Sequence, residues 1–155
     1  MKILVACIGN IFCGDDGFGP AVADKLCARA WPPHVEVTDF GIRGLDLAFA
    51  LTSGIDAAIL VDAVARGGAP GTLYVIEPTA TDAPPTIDTH AMDPARVLAF
   101  ATTLGTLPAY VRVVGCEPAR LEDEMSLSDV VAAAISPAVR MVDHLVAELE
   151  AACTS

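Results

Sequence analysis

Strand-length blocks of apolar residues recur along the chain. Lys2 to Ile8 is apolar almost throughout, which is typical of a strand buried on both faces of a sheet. Four further blocks of six or seven residues contain Val, Ile or Leu: HVEVTDF (34–40), AAILVDA (57–63), TLYVIE (72–77) and YVRVVGC (110–116). The pattern therefore predicts five strands.

Between these blocks the apolar spacing changes to that of a helix. From Gly17 to Ala30 the apolar residues Val22, Leu26 and Ala30 recur at four-residue intervals, and Pro20 suits the first turn. Three more helices are predicted at LDLAFALTS (45–53), ARVLAFATTL (95–104) and residues 128–151. In the last of these, Pro137 restarts the helix.

The order of the predicted elements indicates the fold class. The connection between Ala63 and Thr72 is too short for a crossover helix, so the fourth strand is expected to run antiparallel, as a hairpin partner or at an edge. The order βαβαββαβα predicts an α/β fold: a three-layer, doubly wound, mostly parallel five-stranded sheet with one antiparallel strand. We expect residues 1–155 to form a single domain.

Composition excludes several classes of function. The chain has 155 residues, of which 20 are acidic and 9 are Lys or Arg, for a net charge of −11. Such a chain lacks the basic face that nucleic-acid binding requires. It shows no signal-peptide pattern and no run of about 18 apolar residues, so we expect a cytoplasmic protein without a membrane span. Five cysteines without CxxC spacing indicate reduced, mostly buried thiols.

Residues 8–20, IGNIFCGDDGFGP, interrupt the apolar pattern just after the first strand. Glycine and asparagine tolerate a positive φ, so this segment is predicted to turn. The adjacent carboxylates of Asp15 and Asp16 repel each other unless helix amides or a positive charge lies nearby. Either they cap the following helix or they hold a cation.

Further acids are predicted at the same edge of the sheet. The carboxyl ends of parallel strands share one edge, where open α/β sheets bind ligands. The second strand ends near Asp39 and the third ends near Asp62, with few bases close by except Arg43 and Arg66. These carboxylates would repel one another unless a cation joined them.

His90, in the loop before the third helix, would complete a mixed nitrogen and oxygen ligand set for a divalent first-row metal. Each candidate also has a structural interpretation: Asp39 and Asp62 could simply end strands, and His90 could be a solvated loop histidine. His34 and His144 are interpreted as structural.

Other catalytic templates are missing. The chain contains no GxGxxG, GxxxxGK(S/T), GxSxG or HExxH motif. Cys13 and His90 could meet as a Cys–His pair, but no other feature of the sequence supports a cysteine protease.

The chain resembles the [NiFe]-hydrogenase maturation endopeptidases in motifs that span nearly its whole length. In chain order the shared pieces are GNxxxxDDGxG (9–19), DxG (39–41), VDA (61–63), PGT (70–72), TH (89–90) and GCEP (115–118). Because six short motifs occur in the same order, the resemblance is specific.

The resemblance implies an endopeptidase that removes a short C-terminal extension from the hydrogenase large-subunit precursor after nickel insertion. Such proteins are thought to recognise the nickel in the precursor with two carboxylates and one histidine, which match Asp16, Asp62 and His90. Nickel would thus arrive with the substrate. Many relatives carry Glu at the position of Asp16, so this chain has the shorter carboxylate.

The resemblance leaves the attacking group unassigned. Asp16 and Asp39 are the candidate catalytic residues, as in an aspartic-type endopeptidase, and a water activated by the metal or by a carboxylate is the simplest nucleophile. Where relatives often read DGG, this chain has Asp39-Phe40-Gly41.

Two other classes of function stay open. One is a non-catalytic, nickel-sensing accessory protein that binds the precursor and dissociates once nickel is present. The other is a small-molecule metallohydrolase that uses the same edge of the sheet. For either class, as for the endopeptidase, we expect a monomer.

Overall fold

The computed structural model describes residues 1–78 and 93–154, and its elements follow the predicted order. The strands and helices are β1 (Ile3–Ile8), α1 (Phe18–Cys27), β2 (Val35–Gly41), α2 (Gly44–Leu51), β3 (Ala57–Ala63), β4 (Leu73–Ile76), α3 (Pro94–Ala101), β5 (Tyr110–Cys116), α4 (Asp129–Ala132) and α5 (Ile135–Thr154). A short 3₁₀ turn, Gly14–Gly17, precedes α1. The first helix ends at Cys27 rather than Ala30, and the predicted last helix is in fact two.

The five strands form one sheet in the order β2-β1-β3-β5-β4. The β1–β2, β1–β3 and β3–β5 pairs are parallel, and β4 is antiparallel to β5. The predicted fold class is therefore confirmed. Strand β4 forms an edge and pairs with β5 rather than with β3, because β1 and β5 already occupy both sides of β3.

Helices cover both faces of the sheet. Alternate side chains of β1 point to opposite faces, so Val5 joins the core beneath α1 and α5 while Leu4 joins the core beneath α2 and α3. This two-sided burial explains why β1 is apolar throughout.

Helix α1 approaches the sheet closely at Gly19. A Cβ atom at this position would lie 2.0 Å from the carbonyl oxygen of Ile8 and 2.8 Å from that of Val61. Only glycine fits this contact with two strand backbones. The close approach places the 3₁₀ turn directly over the ends of β1 and β3.

The last two helices, the four-residue α4 and the 20-residue α5, lie in one long apolar segment. The segment Asp129–Thr154 would qualify as a membrane span by length and composition alone. However, α5 buries one face, including Val142, Val146 and Leu149, in the core beside α1, and it exposes charged residues such as Arg140 on the other. This amphipathic pattern is that of an outer-layer helix packed on a sheet.

All five cysteines are free, as the sequence predicts. Cys7 and Cys116 are buried, but Cys27 and Cys153 are exposed, so the expectation of mostly buried thiols is wrong for those two. Both exposed cysteines lie at the carboxyl ends of helices, Cys27 in α1 and Cys153 in α5.

Candidate active site between the first and third strands

The crevice between β1 and β3 is the topological switch point of the sheet. The chain leaves β1 toward β2 on one side, whereas β3 pairs on its other side with β5. Open α/β sheets bind ligands outside the carboxyl ends of the strands at such a point. The loop of residues 9–17 and the loop of residues 64–72 border this crevice.

Asp62 lies at the bottom of the crevice. Its side chain is buried, and its Oδ1 accepts a hydrogen bond from the amide of Ala63 at 2.8 Å. Burial raises the pKa of Asp62 well above its ordinary value, and the charges of Asp16 and Asp93 raise it further. Ionisation of Asp62 is therefore unfavourable while these two carboxylates are charged.

Asp16 is half-buried on the 3₁₀ turn after β1. Its Oδ2 accepts a hydrogen bond from the amide of Asn10 at 2.9 Å, while burial raises the pKa of the carboxyl group. Among the described residues, no Lys, Arg or His forms an ion pair with Asp16 or Asp62. The pair is thus a concentration of negative charge without a bound base.

Asp15 has a different role from its neighbour. It is completely buried, and its carboxylate accepts hydrogen bonds from the amides of Ala119 (2.8 Å), Arg120 (3.0 Å) and Ser128 (2.7 Å) and from the Ser128 hydroxyl (2.8 Å). Burial alone would raise the pKa of Asp15, but these hydrogen bonds outweigh it and lower the pKa. Asp15 therefore ties the loop after β1 to the loop after β5.

Neither aspartate caps α1. The N-cap of this helix is Gly17, and no side chain accepts a hydrogen bond there. The predicted capping role is thus wrong, because the intervening 3₁₀ turn directs Asp15 toward residues 119–128 and Asp16 toward the crevice.

Asp39 makes contacts of its own on β2. It is exposed at the end of β2, where its Oδ1 accepts a hydrogen bond from the Gly41 amide at 3.0 Å and its carbonyl oxygen accepts one from Arg43 at 2.8 Å. Burial is the main cause of the raised pKa of Cys7 and of Cys27, on the α1 side of the sheet. The negative charge of Asp39 raises both pKa values further. A catalytic role for Asp39 stays a prediction.

The third predicted ligand, His90, lies outside the described residues. Within residues 1–78 and 93–154, no group of three or more His, Cys, Asp or Glu side chains is arranged to hold a metal ion. Asp16 and Asp62 are thus two oxygen donors, and the assignment of a third ligand stays a prediction.

Glu117, which sequence reasoning did not assign, organises the loop after β3. Its nearly buried carboxylate accepts hydrogen bonds from the amides of Arg66 (2.8 and 3.1 Å) and Gly68 (2.7 Å) and from the Tyr74 hydroxyl (3.0 Å). Burial raises the pKa of Glu117, yet these donors lower it overall. The GCEP motif, an acid directly after a buried strand, was the available signal.

A cavity of about 590 Å³ opens beside Asp62, between the loop after β3 and the start of α3. Its charged lining residues are Arg66, Glu77 and Asp93, and most of the other lining residues are small and apolar. Asp93 is the N-cap of α3 and accepts a hydrogen bond from the Arg96 amide at 2.9 Å. A peptide side chain would fit in this space.

Comparison with known proteins places this site in a functional context. The model of the hydrogenase maturation protease family matches residues 20–144. The chain is 33% identical to the hydrogenase 2 maturation protease of Escherichia coli strain K12 over 146 residues, which cover 92% of this chain and 88% of that protein.

Solved structures agree with this match. The fold superposes on the hydrogenase maturating endopeptidase HybD from E. coli with a TM-score of 0.80 and 28% identity, covering 96% of this chain and 93% of the other. A hydrogenase 2 maturation peptidase from a Thaumarchaeota archaeon gives a TM-score of 0.71 and 31% identity over 94% of this chain and 98% of the other.

Proposed function

The chain belongs to the hydrogenase maturation protease family, and from that premise we propose that it removes the C-terminal extension of a [NiFe]-hydrogenase large-subunit precursor after nickel insertion. In this proposal the precursor's nickel is part of the substrate, and Asp16, Asp62 and His90 recognise it. The reaction takes place in the cytoplasm, and the active form is a monomer.

The observation that carries the proposal is the uncompensated pair of carboxylates. Burial raises the pKa of Asp62 and of Asp16, and the negative charge of Asp16 opposes ionisation of Asp62. Ionisation of both groups therefore has a free-energy cost until a cation joins them. A divalent metal would offset this cost, and carboxylate and imidazole ligands suit nickel.

The same arrangement suits peptide hydrolysis. With the precursor's nickel held at the crevice, the scissile peptide would extend over the adjoining cavity. A water would attack the carbonyl carbon, one carboxylate would take a proton from that water, and the leaving amine would gain a proton as the C–N bond breaks.

The test is to incubate the purified protein with a precursor, with and without nickel, and to measure intact masses. We expect loss of a C-terminal peptide only from the nickel-loaded precursor. Asp16→Asn and Asp62→Asn should abolish this loss, whereas the control Asp24→Asn, at an exposed position on α1, should not. Full processing by the Asp16→Asn or Asp62→Asn protein would contradict the proposal.

A non-catalytic accessory protein is the second candidate, because the acidic pair would serve nickel sensing as well as cleavage. It predicts nickel-dependent complex formation with no change in precursor mass. The same incubation therefore separates the two candidates.

A further inference from the structure

Exposed apolar side chains concentrate beside the candidate active site. Eleven large hydrophobic side chains are exposed in the described part of the chain. Four of them lie in the two loops joined by Asp15 and form what we call the apolar rim: Ile11 (46% exposed), Phe12 (58%), Leu121 (53%) and Met125 (71%). Single exposed apolar residues are ordinary, but a group at one site marks an interaction surface.

The backbone fixes the two halves of the apolar rim against each other. The Glu124 amide donates to the carbonyl of Phe12 at 3.1 Å, and the Gly14 amide donates to the carbonyl of Glu124 at 2.7 Å. The Asn10 side chain accepts a hydrogen bond from the Phe12 amide at 2.9 Å. Because the rim is held in place before any partner arrives, docking on it would cost little conformational entropy.

The apolar rim borders the acidic pair. Ile11 packs against the turn that carries Asp16, since a Cβ at Gly17 would lie 3.4 Å from the Ile11 Cα. On the other side, the Gly9 amide donates to the Gly41 carbonyl at 2.9 Å, next to exposed Ile42. A partner seated on the rim would therefore reach Asp16 as well.

The charges around the apolar rim indicate which kind of partner surface would bind there. Glu122, Asp123 and Glu124 are exposed between the two apolar residues of the second loop. Only Glu124 has an ion-pair partner among the described residues, Arg120 at 3.1 Å. Glu122 and Asp123 thus leave negative charge at the edge of an apolar surface, which favours a partner with basic residues around an apolar centre.

We propose that the apolar rim docks an apolar surface, bordered by basic residues, on the folded precursor beside its nickel site. This inference rests on the proposed function. A second copy of the chain is a poorer occupant, because each copy carries a net charge of −11 and a two-fold contact would bring the same acids together.

The test compares Phe12→Ser/Met125→Ser with Leu104→Ser, an exposed leucine beyond the far end of α3, where Gly105 lies beside Thr52. Measurements are kcat and KM for the nickel-loaded precursor, the Kd for the precursor, and the sedimentation of the protease alone. We expect the double variant to raise KM at least tenfold with kcat within twofold, and Leu104→Ser to match the wild type. Glu122→Lys/Asp123→Lys should raise KM most at low salt.

Each other outcome has a defined meaning. Unchanged KM and Kd in the double variant would overturn the docking inference while processing by the wild type preserved the proposed function. If the wild type binds the precursor without cutting it, and the double variant no longer binds, the docking inference is supported and the proposed protease activity is overturned. A wild type that neither binds nor cuts would overturn both. A wild-type dimer that the double variant converts to a monomer, with KM unchanged, would assign the rim to self-association instead.

Discussion

The negative charge of Asp16, on the turn after β1, raises the pKa of buried Asp62 near the end of β3. Asp62 is buried at the end of a core strand, and Asp16 reaches it from a turn that Gly19 allows to press onto the sheet. No base among the described residues pairs with either group. The fold thus maintains an unfavourable charge pair at the site where its ligand is expected.

The first prediction is that Asp62→Asn stabilises the protein although it abolishes processing. Because the folded-state pKa of Asp62 is raised, its contribution to stability is present below the unfolded pKa of about 4 and is lost as pH rises through the folded pKa. Asparagine keeps the acceptor for the Ala63 amide and carries no charge. We expect equal stability at pH 4 and a gain of about 1–3 kcal/mol for the variant at pH 8.

Thermal or urea denaturation at several pH values checks this prediction, with Asp24→Asn as the control that should follow the wild type throughout. A less stable Asp62→Asn protein at pH 8 would show that another group of the protein stabilises the ionised Asp62 carboxylate.

The second prediction is that two adjacent, isosteric substitutions have different effects: Asp15→Asn lowers stability, whereas Asp16→Asn abolishes processing. Asp15→Asn replaces an acceptor by an amide group that faces backbone donors, so we expect a loss of about 2–4 kcal/mol in the free energy of unfolding at pH 7. The free energy of unfolding of the Asp16→Asn protein should lie within about 1 kcal/mol of the wild-type value, yet this variant should not process the precursor.

The Asp15 effect should also depend on pH. The folded-state pKa of Asp15 is lowered, so its stabilisation is present above the unfolded pKa of about 4 and disappears as pH falls through the folded value. The difference between wild type and Asp15→Asn should therefore shrink in acid. Urea denaturation of the wild type and of the Asp15→Asn protein at pH 7 and pH 3 measures this. A difference in the free energy of unfolding that stays constant between the two pH values would contradict the assigned hydrogen bonds.

The sequence predicted the fold well and the site only in part. The five strands and the antiparallel β4 follow from apolar blocks and connection lengths, which are local signals. The separate roles of Asp15 and Asp16 could not be predicted, because the partners of Asp15 at residues 119–128 are more than 100 positions away. Glu117 was missed for the same reason, since its donors lie in a loop some 50 residues earlier.

The third prediction concerns Gly19→Ala. The added Cβ would meet two strand carbonyls, at 2.0 and 2.8 Å, and neither backbone can move without disturbing the sheet. We expect a loss of about 2–4 kcal/mol in stability and a lower kcat, because α1 would shift away with the Asp16 turn. Gly105→Ala is the milder control, since its Cβ would meet the Thr52 Cβ at 3.2 Å, a contact that a shift of a few tenths of an ångström relieves. Equal effects of the two substitutions on stability and kcat would show that close packing of α1 does not position the site.

The fourth prediction uses Tyr74 to report on the Glu117 network. Burial and the hydrogen bond to Glu117 raise the pKa of Tyr74 above its usual value. The chain contains two tyrosines, so a Tyr110→Phe background leaves Tyr74 as the sole one. In that background Glu117→Gln should move the tyrosinate absorbance titration to lower pH, because a neutral side chain no longer opposes ionisation. Processing should fall with it, since a neutral glutamine oxygen is a weaker acceptor for the amides of Arg66 and Gly68 and the loop beside Asp62 loosens. Glu148→Gln, at an exposed acid on α5, is the control expected to change neither. An unshifted titration in the Glu117→Gln protein would mean that Tyr74 does not donate to Glu117 in solution.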